Sequence, residues 1–347
     1  MCTVATGSSS TGRPARVALN RPSARTRSEL IGARSAHYRR AVTARPTSRT
    51  DVQQLIGITR SLTTLPDGAP GPAVAERDGV AIRPLALTTA AGDRVPALYL
   101  TPDGPPPWPA VVAVHQHDGN YAVGKSEPAG LAGEPDMAYA LAMARLGVAA
   151  LVPDLTAFEG RQGAQPCGAD GERMEAFHLL ALGTSLQARH VQDVALCVSW
   201  LIAQDDVAEG IGLIGHSLGG QVAFFAAACD ERVRAAVISC GLGTVESFHA
   251  AGVVHNPAWY VPGIIAGGDS PAIAAVTAGQ LFWISAGARD HLFPLDGVEQ
   301  AVAGFPGGCA QLHVFDGEHG FPAAMADQAT RWLAGELQDD ALGRAVG

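Results

Sequence analysis

Charged residues, and lysine above all, are scarce in this sequence. Only 16% of the 347 residues are charged, and Lys125 is the one lysine, so arginine supplies nearly all of the positive charge. Residues 1–50 contain ten arginines and one acid, a net charge of +9, so the rest of the chain must carry −18 to give the overall charge of −9. Because so acidic a body repels phosphate backbones, we expect no nucleic-acid partner.

Long apolar runs and ordered cysteine patterns are also missing. Runs such as AVVAV at 110–114 are far shorter than the roughly 20 residues that span a bilayer, and the basic N-terminus lacks the apolar core of a secretory signal. The six cysteines form no CxxC pair and have no regular spacing, which is typical of free thiols in a reducing compartment. We therefore expect a cytoplasmic protein without membrane association, disulfide framework or cysteine-based zinc site.

Composition divides the chain into three parts. Residues 1–50 are rich in Arg, Ser, Thr, Ala and Pro and show no helical or strand period, so we expect most of them to be disordered, although targeting arms have a similar composition. We interpret residues 51–79 as a linker with room for a short helix. Residues 80–340 alternate strand-like and helical runs and form the predicted folded domain, for which 47% hydrophobic residues supply ample core material.

The alternation from residue 80 onward predicts an α/β fold. VAIRPLALTT (80–89) and RVPALYLTP (94–102) are typical of an antiparallel opening pair, and AVVAVHQ (110–116) of a strand covered on both faces. In HVQDVALCVSWLIAQ (190–204) the apolar residues recur on one helical face. Strands that alternate with helices of this length imply βαβ units, so we expect a mostly parallel central sheet flanked by helices.

Two irregular stretches, 155–171 and 241–279, are too long to be simple connections. Long loops inside a compact domain are commonly functional. Both stretches follow predicted strands, at the carboxyl ends where open α/β sheets bind ligands. We therefore expect loop or lid insertions beside a substrate pocket at this edge of the sheet.

The pentapeptide Gly215-His216-Ser217-Leu218-Gly219 lies between a predicted strand, IGLIG, and a predicted helix, LGGQVAFFAAA. A nucleophile on such a turn adopts a sparsely populated backbone conformation, which costs about 1–3 kcal/mol. Flanking glycines let neighbouring backbone pass without a Cβ clash, and the helix N-terminus favours developing negative charge. Short Gly/Ser patterns also occur in plain turns, so a catalytic Ser217 requires partners elsewhere in the chain.

Two downstream residues suit the role of those partners. A serine hydroxyl becomes a nucleophile only when a base removes its proton. Asp290 follows the predicted strand QLFWISAG, and His319 follows the predicted strand AQLHVFDG. The order Ser, Asp, His is that of a hydrolase triad. A turn carboxylate at 290 and a surface histidine at 319 are the alternatives, but three coincidences in the required order favour catalysis.

Acyl transfer also needs two backbone N–H groups that bind the tetrahedral oxyanion, and we predict those of Leu218 and His117. Leu218 follows the nucleophile, and His117 lies in the loop after the strand AVVAVHQ. His115 and His117 could instead ligate a metal, but no third ligand follows at a suitable spacing. We therefore predict neither a metal nor an organic cofactor.

By these residues the chain resembles the α/β-hydrolase superfamily, over about residues 80 to 338. Three further stretches are similar to the dienelactone hydrolase and acetyl xylan esterase-like branch: HQHDGNYAVGKSEPAGLAG (115–133), ERMEAFHLLALGTSLQARHVQDV (172–194) and VHNPAWYVPGI (254–264). The resemblance implies an α/β-hydrolase fold. Dienelactone hydrolases proper use a cysteine nucleophile, whereas this chain has Ser217, which favours ordinary ester hydrolysis over dienelactone chemistry.

The predicted function is a serine hydrolase that cleaves the carboxylic ester of a small or medium-sized molecule through an acyl-enzyme. An acyltransferase, a thioesterase or lactonase, and a C–C hydrolase would use the same residues, and a non-catalytic ligand-binding protein is a third hypothesis. The sequence selects neither a substrate nor an oligomeric state. Five residues are candidates for the substrate pocket: His115, Lys125, Glu127, Trp259 and Tyr260. For Lys125 and Glu127, bracing of the loop is the alternative role.

Overall fold

The computed structural model describes residues 45–90, 92–163 and 165–341. This part of the chain contains a nine-stranded sheet. Its strands are β1 (Ala75–Arg77), β2 (Val80–Thr88), β3 (Arg94–Thr101), β4 (Trp108–Val114), β5 (Ala149–Pro153), β6 (Val207–His216), β7 (Val233–Ser239), β8 (Leu281–Gly287) and β9 (Ala310–Phe315). They lie in the order β1-β2-β3-β5-β4-β6-β7-β8-β9. The first three pairings are antiparallel, and the five from β5 to β9 are parallel. The predicted opening pair, β2 and β3, and the mostly parallel sheet are confirmed.

Helices cover both faces of this sheet. They are α1 (Arg49–Ile56), α2 (Tyr139–Arg145), α3 (Gly168–Ala181), α4 (Leu186–Ile202), α5 (Leu218–Cys229), α6 (Val245–Ala251), α7 (Asp269–Ala274), α8 (Leu295–Val302) and α9 (Ala323–Ala341). One buried cluster joins the sheet to α1, α4 and α5, and a second joins its other face to α2 and α9. Neighbouring residues of β4 show the division, since Val112 belongs to the first cluster and Val111 to the second. None of the helices in the described ranges is long and apolar enough to cross a membrane.

The segment before the sheet is attached to the core by α1. The Ser48 hydroxyl accepts a hydrogen bond from the Asp51 amide (3.2 Å), and the Asp51 carboxylate accepts one from the Ser48 amide (3.0 Å), so the helix begins with a capping box. Val52 and Ile56 are buried in the cluster that contains α4 and α5. Of the N-terminal stretch predicted to be disordered, residues 1–44 lie outside the described residues.

The two irregular stretches follow β5 and β7 at their carboxyl ends, as predicted. Residues 241–279 contain α6, α7 and a short 3-10 turn at Pro257–Trp259. The stretch after β5 runs into α3, a helix that the sequence did not predict, because its apolar residues form no sustained stripe. Both insertions contribute walls to a cavity at this edge of the sheet.

Two glycines allow β6 and α5 to meet without a steric clash. A Cβ on Gly219 would lie 1.9 Å from the carbonyl oxygen of Val114 on β4, and a Cβ on Gly215 would lie 2.2 Å from the carbonyl carbon of Gly219. Favourable contacts between heavy atoms need about 3.5–4.0 Å. The outer positions of the pentapeptide are therefore glycines because the first turn of α5 presses against two neighbouring strands.

We expect Gly219→Ala to lower the free energy of unfolding by about 3 kcal/mol or more, because the added methyl group cannot be accommodated without moving backbone. Urea denaturation followed by circular dichroism measures the change. Gly335→Ala is the matched control, since Gly335 lies in α9 with no atom within 4 Å of the added Cβ. That variant should gain about 0.5–1 kcal/mol from helix propensity. Equal stabilities for the two variants would contradict the packing argument.

Candidate active site

Ser217 occupies the turn between β6 and α5 in a strained backbone conformation. Its φ is 54° and its ψ is −118°, in a region that residues with a side chain rarely adopt. Two hydrogen bonds hold the turn: the Ser217 amide donates to the Ser239 carbonyl (2.8 Å), and the Gln221 amide donates to the Ser217 carbonyl (2.9 Å). The turn places the hydroxyl at the N-terminus of α5, on the wall of the cavity.

Asp290 and His319 lie within hydrogen-bonding distance of each other and of this serine. Asp290 follows β8 and His319 follows β9, and the carboxyl ends of these neighbouring parallel strands meet at the same edge of the sheet. Nε2 of His319 is 2.9 Å from Oγ of Ser217, and its Nδ1 is 2.8 Å from Oδ2 of Asp290. The structure thus joins the three predicted residues in one hydrogen-bonded chain.

The Asp290 carboxylate is held in its ionised form. Burial alone would raise its pKa, but the hydrogen bond and charge of His319 and the amides of Leu292 and Phe293, which donate to Oδ1 at 2.8 and 3.0 Å, lower the pKa below its usual value. An ionised Asp290 accepts the proton on Nδ1 of His319. The Nε2 lone pair of His319 is then directed at the Ser217 hydroxyl, the arrangement that a general base requires.

Cys240 lies beside Asp290 and His319, close enough that one atom from each residue could approach a metal ion. The donor chemistry does not fit one. Burial raises the pKa of Cys240 to about 12, so its thiol stays protonated, and Sγ donates to the Gly320 carbonyl (3.3 Å). Asp290 and His319 are bonded to each other instead. We therefore read these groups as an acid–base pair beside a buried thiol.

His115 fixes the loop that carries the predicted oxyanion donor His117. Its Nδ1 donates to the Gln116 carbonyl (2.7 Å), and its Nε2 accepts from the Leu155 amide (3.0 Å). Burial lowers the pKa of His115 to about 4, so the ring is neutral and this tautomer is maintained. In a trans peptide the N–H points opposite to the C=O. The His117 N–H therefore points away from His115.

The other predicted donor, Leu218, is the first residue of α5. The first amides of a helix have no intrahelical acceptor, so the N–H of Leu218 is available to a ligand beside Ser217. Gln116 and His117 line the same cavity as Ser217. The geometry is compatible with the predicted pair of oxyanion donors, whose catalytic role stays a prediction.

The His117 side chain is held by two residues that sequence reasoning missed, Tyr121 and Glu172. The Gly119 amide donates to Nδ1 of His117 (3.0 Å), which leaves the ring proton on Nε2, 3.1 Å from Oε2 of Glu172. The same Oε2 accepts from the Tyr121 hydroxyl (2.8 Å). Glu172 lies on α3, so this unpredicted helix anchors the loop after β4. The stretch 172–194 would have indicated α3 if it had been interpreted as helical from Glu172 onward.

Ser217 and His319 open onto a cavity of about 690 Å³. Its walls come from the loop after β4, from α3, from the turn before α5 and from the two long insertions. The lining residues are Gln116, His117, Asp118, Gly119, Tyr121, Ala169, Glu172, Arg173, Ala176, Phe177, Leu180, Ser217, Val254, His255, Asn256, Pro257, Tyr260, Leu292, Phe293 and His319. This volume is within the range of about 300–1,000 Å³ that encloses small organic ligands.

Of the five predicted pocket residues, only Tyr260 belongs to this lining. His115 is buried behind the loop that it braces, and Trp259 is buried beside Phe225 and Phe248 with ring centroids 5.9 and 5.0 Å away. Trp259 is therefore a core residue, whereas its neighbour Tyr260 lines the cavity.

Lys125 and Glu127 also lie outside the lining and brace loops instead. Nζ of Lys125 donates to Oδ2 of Asp154 (2.8 Å) and to the Glu159 carboxylate, so the lone lysine lies between two acids that follow β5. Oε1 of Glu127 accepts from the Gln116 side chain (3.2 Å) and from the Glu134 amide (3.2 Å). These contacts support the alternative role predicted for Lys125 and Glu127, which is bracing of the loop.

The insertion at 241–279 is tied to the loop after β8 and to α5. Nε2 of His255 donates to the Leu292 carbonyl (2.8 Å), which lies in the loop that carries Asp290. The Asn256 side chain donates to Oε1 of Gln221 on α5 (3.1 Å). These contacts fix one wall of the cavity relative to the serine and to its acid partner.

Comparison with known proteins identifies a family and a fold. The model of the dienelactone hydrolase family matches residues 95–333, which is most of the chain. The YtaP protein of Bacillus subtilis (strain 168) is 26% identical over 238 residues, which cover 65% of this chain and 76% of that protein.

Two of the solved structures with a similar fold are acetyl xylan esterases. Acetyl xylan esterase 1 from Thermoanaerobacterium sp. JW/SL YS485 has a TM-score of 0.59 and 15% identity, and covers 86% of this chain and 98% of its own. The acetyl xylan esterase from Paenibacillus sp. R4 has a TM-score of 0.62 and 17% identity, with the same coverage of 86% and 98%. At such identities the likeness shows the fold, and the predicted α/β-hydrolase architecture is confirmed.

We expect His255 to make the protein less stable in acid. Burial lowers its pKa to about 4, against about 6.5 in an unfolded chain. Between these values the unfolded chain binds a proton that the folded chain does not, so the free energy of unfolding falls as the pH falls, by up to about 1.4 kcal/mol per pH unit. In urea titrations between pH 6.5 and 4.5, His255→Gln should show a correspondingly shallower fall.

Glutamine keeps a donor for the Leu292 carbonyl, so His255→Gln tests the charge rather than the hydrogen bond. His249→Gln, at an exposed histidine of α6, is the control and should keep the slope of the wild type. Identical slopes for all three proteins would refute the assignment.

Proposed function

This chain belongs to the dienelactone hydrolase family, and from that premise we propose that it is a serine carboxylic-ester hydrolase with Ser217 as its nucleophile. One observation carries the proposal: the hydrogen-bonded chain from Asp290 through His319 to Ser217 ends at the wall of a ligand-sized cavity. A plain structural turn would need neither the strained φ of Ser217 nor a buried, ionised partner for His319.

The proposed reaction begins when Oγ of Ser217 attacks the ester carbonyl carbon while Nε2 of His319 removes the hydroxyl proton. Asp290 keeps the ring in the tautomer that has a free Nε2 and stabilises the imidazolium that forms. As the tetrahedral intermediate collapses, His319 gives the proton to the leaving alcohol, and an acyl-enzyme remains. Water, deprotonated by the same histidine, then releases the acid.

Negative charge on the tetrahedral oxygen is stabilised by the amides of Leu218 and His117. The Leu218 amide benefits from the N-terminal end of the α5 dipole. The His117 amide is oriented from both sides, since His115 holds the preceding carbonyl and Glu172 holds the His117 ring. Donors fixed in advance need no reorganisation as the charge develops, which is the source of their effect on the barrier.

The alternatives predicted from the sequence share the first step of this mechanism. An acyltransferase, a thioesterase, a lactonase and a C–C hydrolase differ in the acceptor or in the bond that Ser217 attacks, so they stay predictions. The ligand-binding hypothesis is less well supported, because all three members of the hydrogen-bonded chain are present and in contact.

We expect Ser217→Ala to lower kcat for a short p-nitrophenyl ester roughly ten-thousandfold or more, because the acyl-enzyme can no longer form. Release of p-nitrophenol measures the rate, and loss of labelling by a fluorophosphonate probe identifies the nucleophile. Ser61→Ala, at an exposed serine of the segment before β1, is the control and should match the wild type. Equal rates for Ser217→Ala and the wild type would end the proposal.

We expect Glu172→Ala to lower kcat about tenfold with a smaller change in KM, since it frees the His117 ring without removing a substrate contact that the mechanism uses. Glu172→Gln keeps an acceptor oxygen for His117 and should retain most of the activity. Glu175→Ala, which alters an acid of the same helix outside the cavity lining, is the control. A rise in KM alone, or the same loss in the control, would contradict this role for Glu172.

A further inference from the structure

One face of α3 forms a continuous wall of the cavity. The residues of α3 that line it are spaced three or four apart, the spacing of one helical face: Ala169, Glu172, Arg173, Ala176, Phe177 and Leu180. The face changes character along its length. Its first half carries charges, and its second half, from Ala176 onward, is apolar.

The apolar half faces a second apolar wall, from the insertion after β7. Val254, Pro257 and Tyr260 line the same cavity, and α3 packs against the turn that contains Pro257. We call Phe177, Leu180, Val254, Pro257 and Tyr260 the apolar mouth. It is continuous with the part of the cavity that contains Ser217 and His319.

The apolar mouth leaves large hydrophobic side chains open to solvent. Phe177 is 62% exposed, Val254 83% and Tyr260 40%. Single exposed apolar residues are common on proteins, but a contiguous group in a cleft marks a binding site. Because these side chains are accessible, a ligand in the cavity can cover them without any rearrangement of the wall.

We propose that the apolar mouth binds an unbranched apolar chain of the ester substrate, attached at the acyl or at the alcohol side. The inference rests on the proposed function and names the class of substrate for that same site: esters of medium chain length rather than acetates of small alcohols. An acetyl group and a small alcohol would leave most of the 690 Å³ empty and the apolar mouth uncovered. A longer chain removes these side chains from water.

Two series of esters test the proposal. The p-nitrophenyl esters of acetic, butanoic, hexanoic and octanoic acid vary the acyl side, and the acetates of ethanol, butanol and hexanol vary the alcohol side. Each fully buried methylene raises binding by up to about fourfold. We therefore expect kcat/KM to rise at least about tenfold from the two-carbon to the six-carbon chain in one series. A flat or falling profile in both series overturns the proposal.

Variants of the apolar mouth test whether these residues cause the preference. Phe177→Ser and Val254→Ser should each reduce the ratio of kcat/KM for the six-carbon and two-carbon chains by about threefold to tenfold. Met174→Ser and Leu182→Ser are matched controls, because Met174 and Leu182 are 54% and 65% exposed, lie on or directly after α3 and are absent from the lining. Their ratio should equal that of the wild type, and an equal decrease in the controls overturns the proposal.

The experiment separates this inference from the proposed function. If the wild type cleaves no ester in either series and the fluorophosphonate probe does not label Ser217, the proposed function fails. If it cleaves esters without regard to chain length, only the inference fails. Size-exclusion chromatography tests whether a second copy of the chain covers the apolar mouth instead. If the wild type is a dimer, and Phe177→Ser dissociates it without changing the ratio of kcat/KM for the six-carbon and two-carbon chains, the apolar mouth is a subunit interface and the inference is overturned.

Discussion

The close approach of α5 to β4 at Gly219 is the constraint on which the site depends. With 1.9 Å between the Val114 carbonyl oxygen and the place where a Cβ would be, the helix can begin only if its first turn has no side chain at that position. The chain must then leave β6 abruptly, and Ser217 takes a positive φ that a relaxed turn would avoid. Packing of the buried helix compensates the strain, which costs about 1–3 kcal/mol. The position of the Ser217 hydroxyl at the surface of the cavity is thus a consequence of how the core is packed.

Sheet topology brings the remaining groups to that hydroxyl. The loops after β4, β6, β8 and β9 carry His117, Ser217, Asp290 and His319, and these strands are parallel, so all four loops lie at one edge. Asp290 and His319 follow adjacent strands, β8 and β9, while β7 separates these strands from β6. The loop after β9 therefore has to turn back over the sheet before Nε2 of His319 can reach Oγ of Ser217 at 2.9 Å.

The parts of the site that the sequence predicts are those that depend on local pattern. Ser217 lies in a motif whose glycines are required sterically, and apolar runs mark the strands that were predicted from residue 80 onward. The short strand β1 lies in the predicted linker and has the sequence Ala-Glu-Arg, which contains no apolar run. The contacts of Lys125 could not be predicted in this way, because its partners Asp154 and Glu159 come from a different loop. The helix α3 was missed for a physical reason: its cavity face mixes Glu172 and Arg173 with the exposed Phe177, so no apolar stripe marks it. Residues that line a binding site break the periodicity on which sequence reading relies.

That mixed face gives α3 two tasks at its two ends. Near its start, Glu172 holds the ring of His117, whose amide is a proposed donor to the oxyanion. One to two turns further on, Phe177 and Leu180 form part of the apolar mouth. A substrate chain that covers these residues would restrain the same helix that fixes the loop after β4. Binding energy from a part of the substrate that does not react would then help to hold the donors in place for the transition state, which raises kcat rather than only lowering KM.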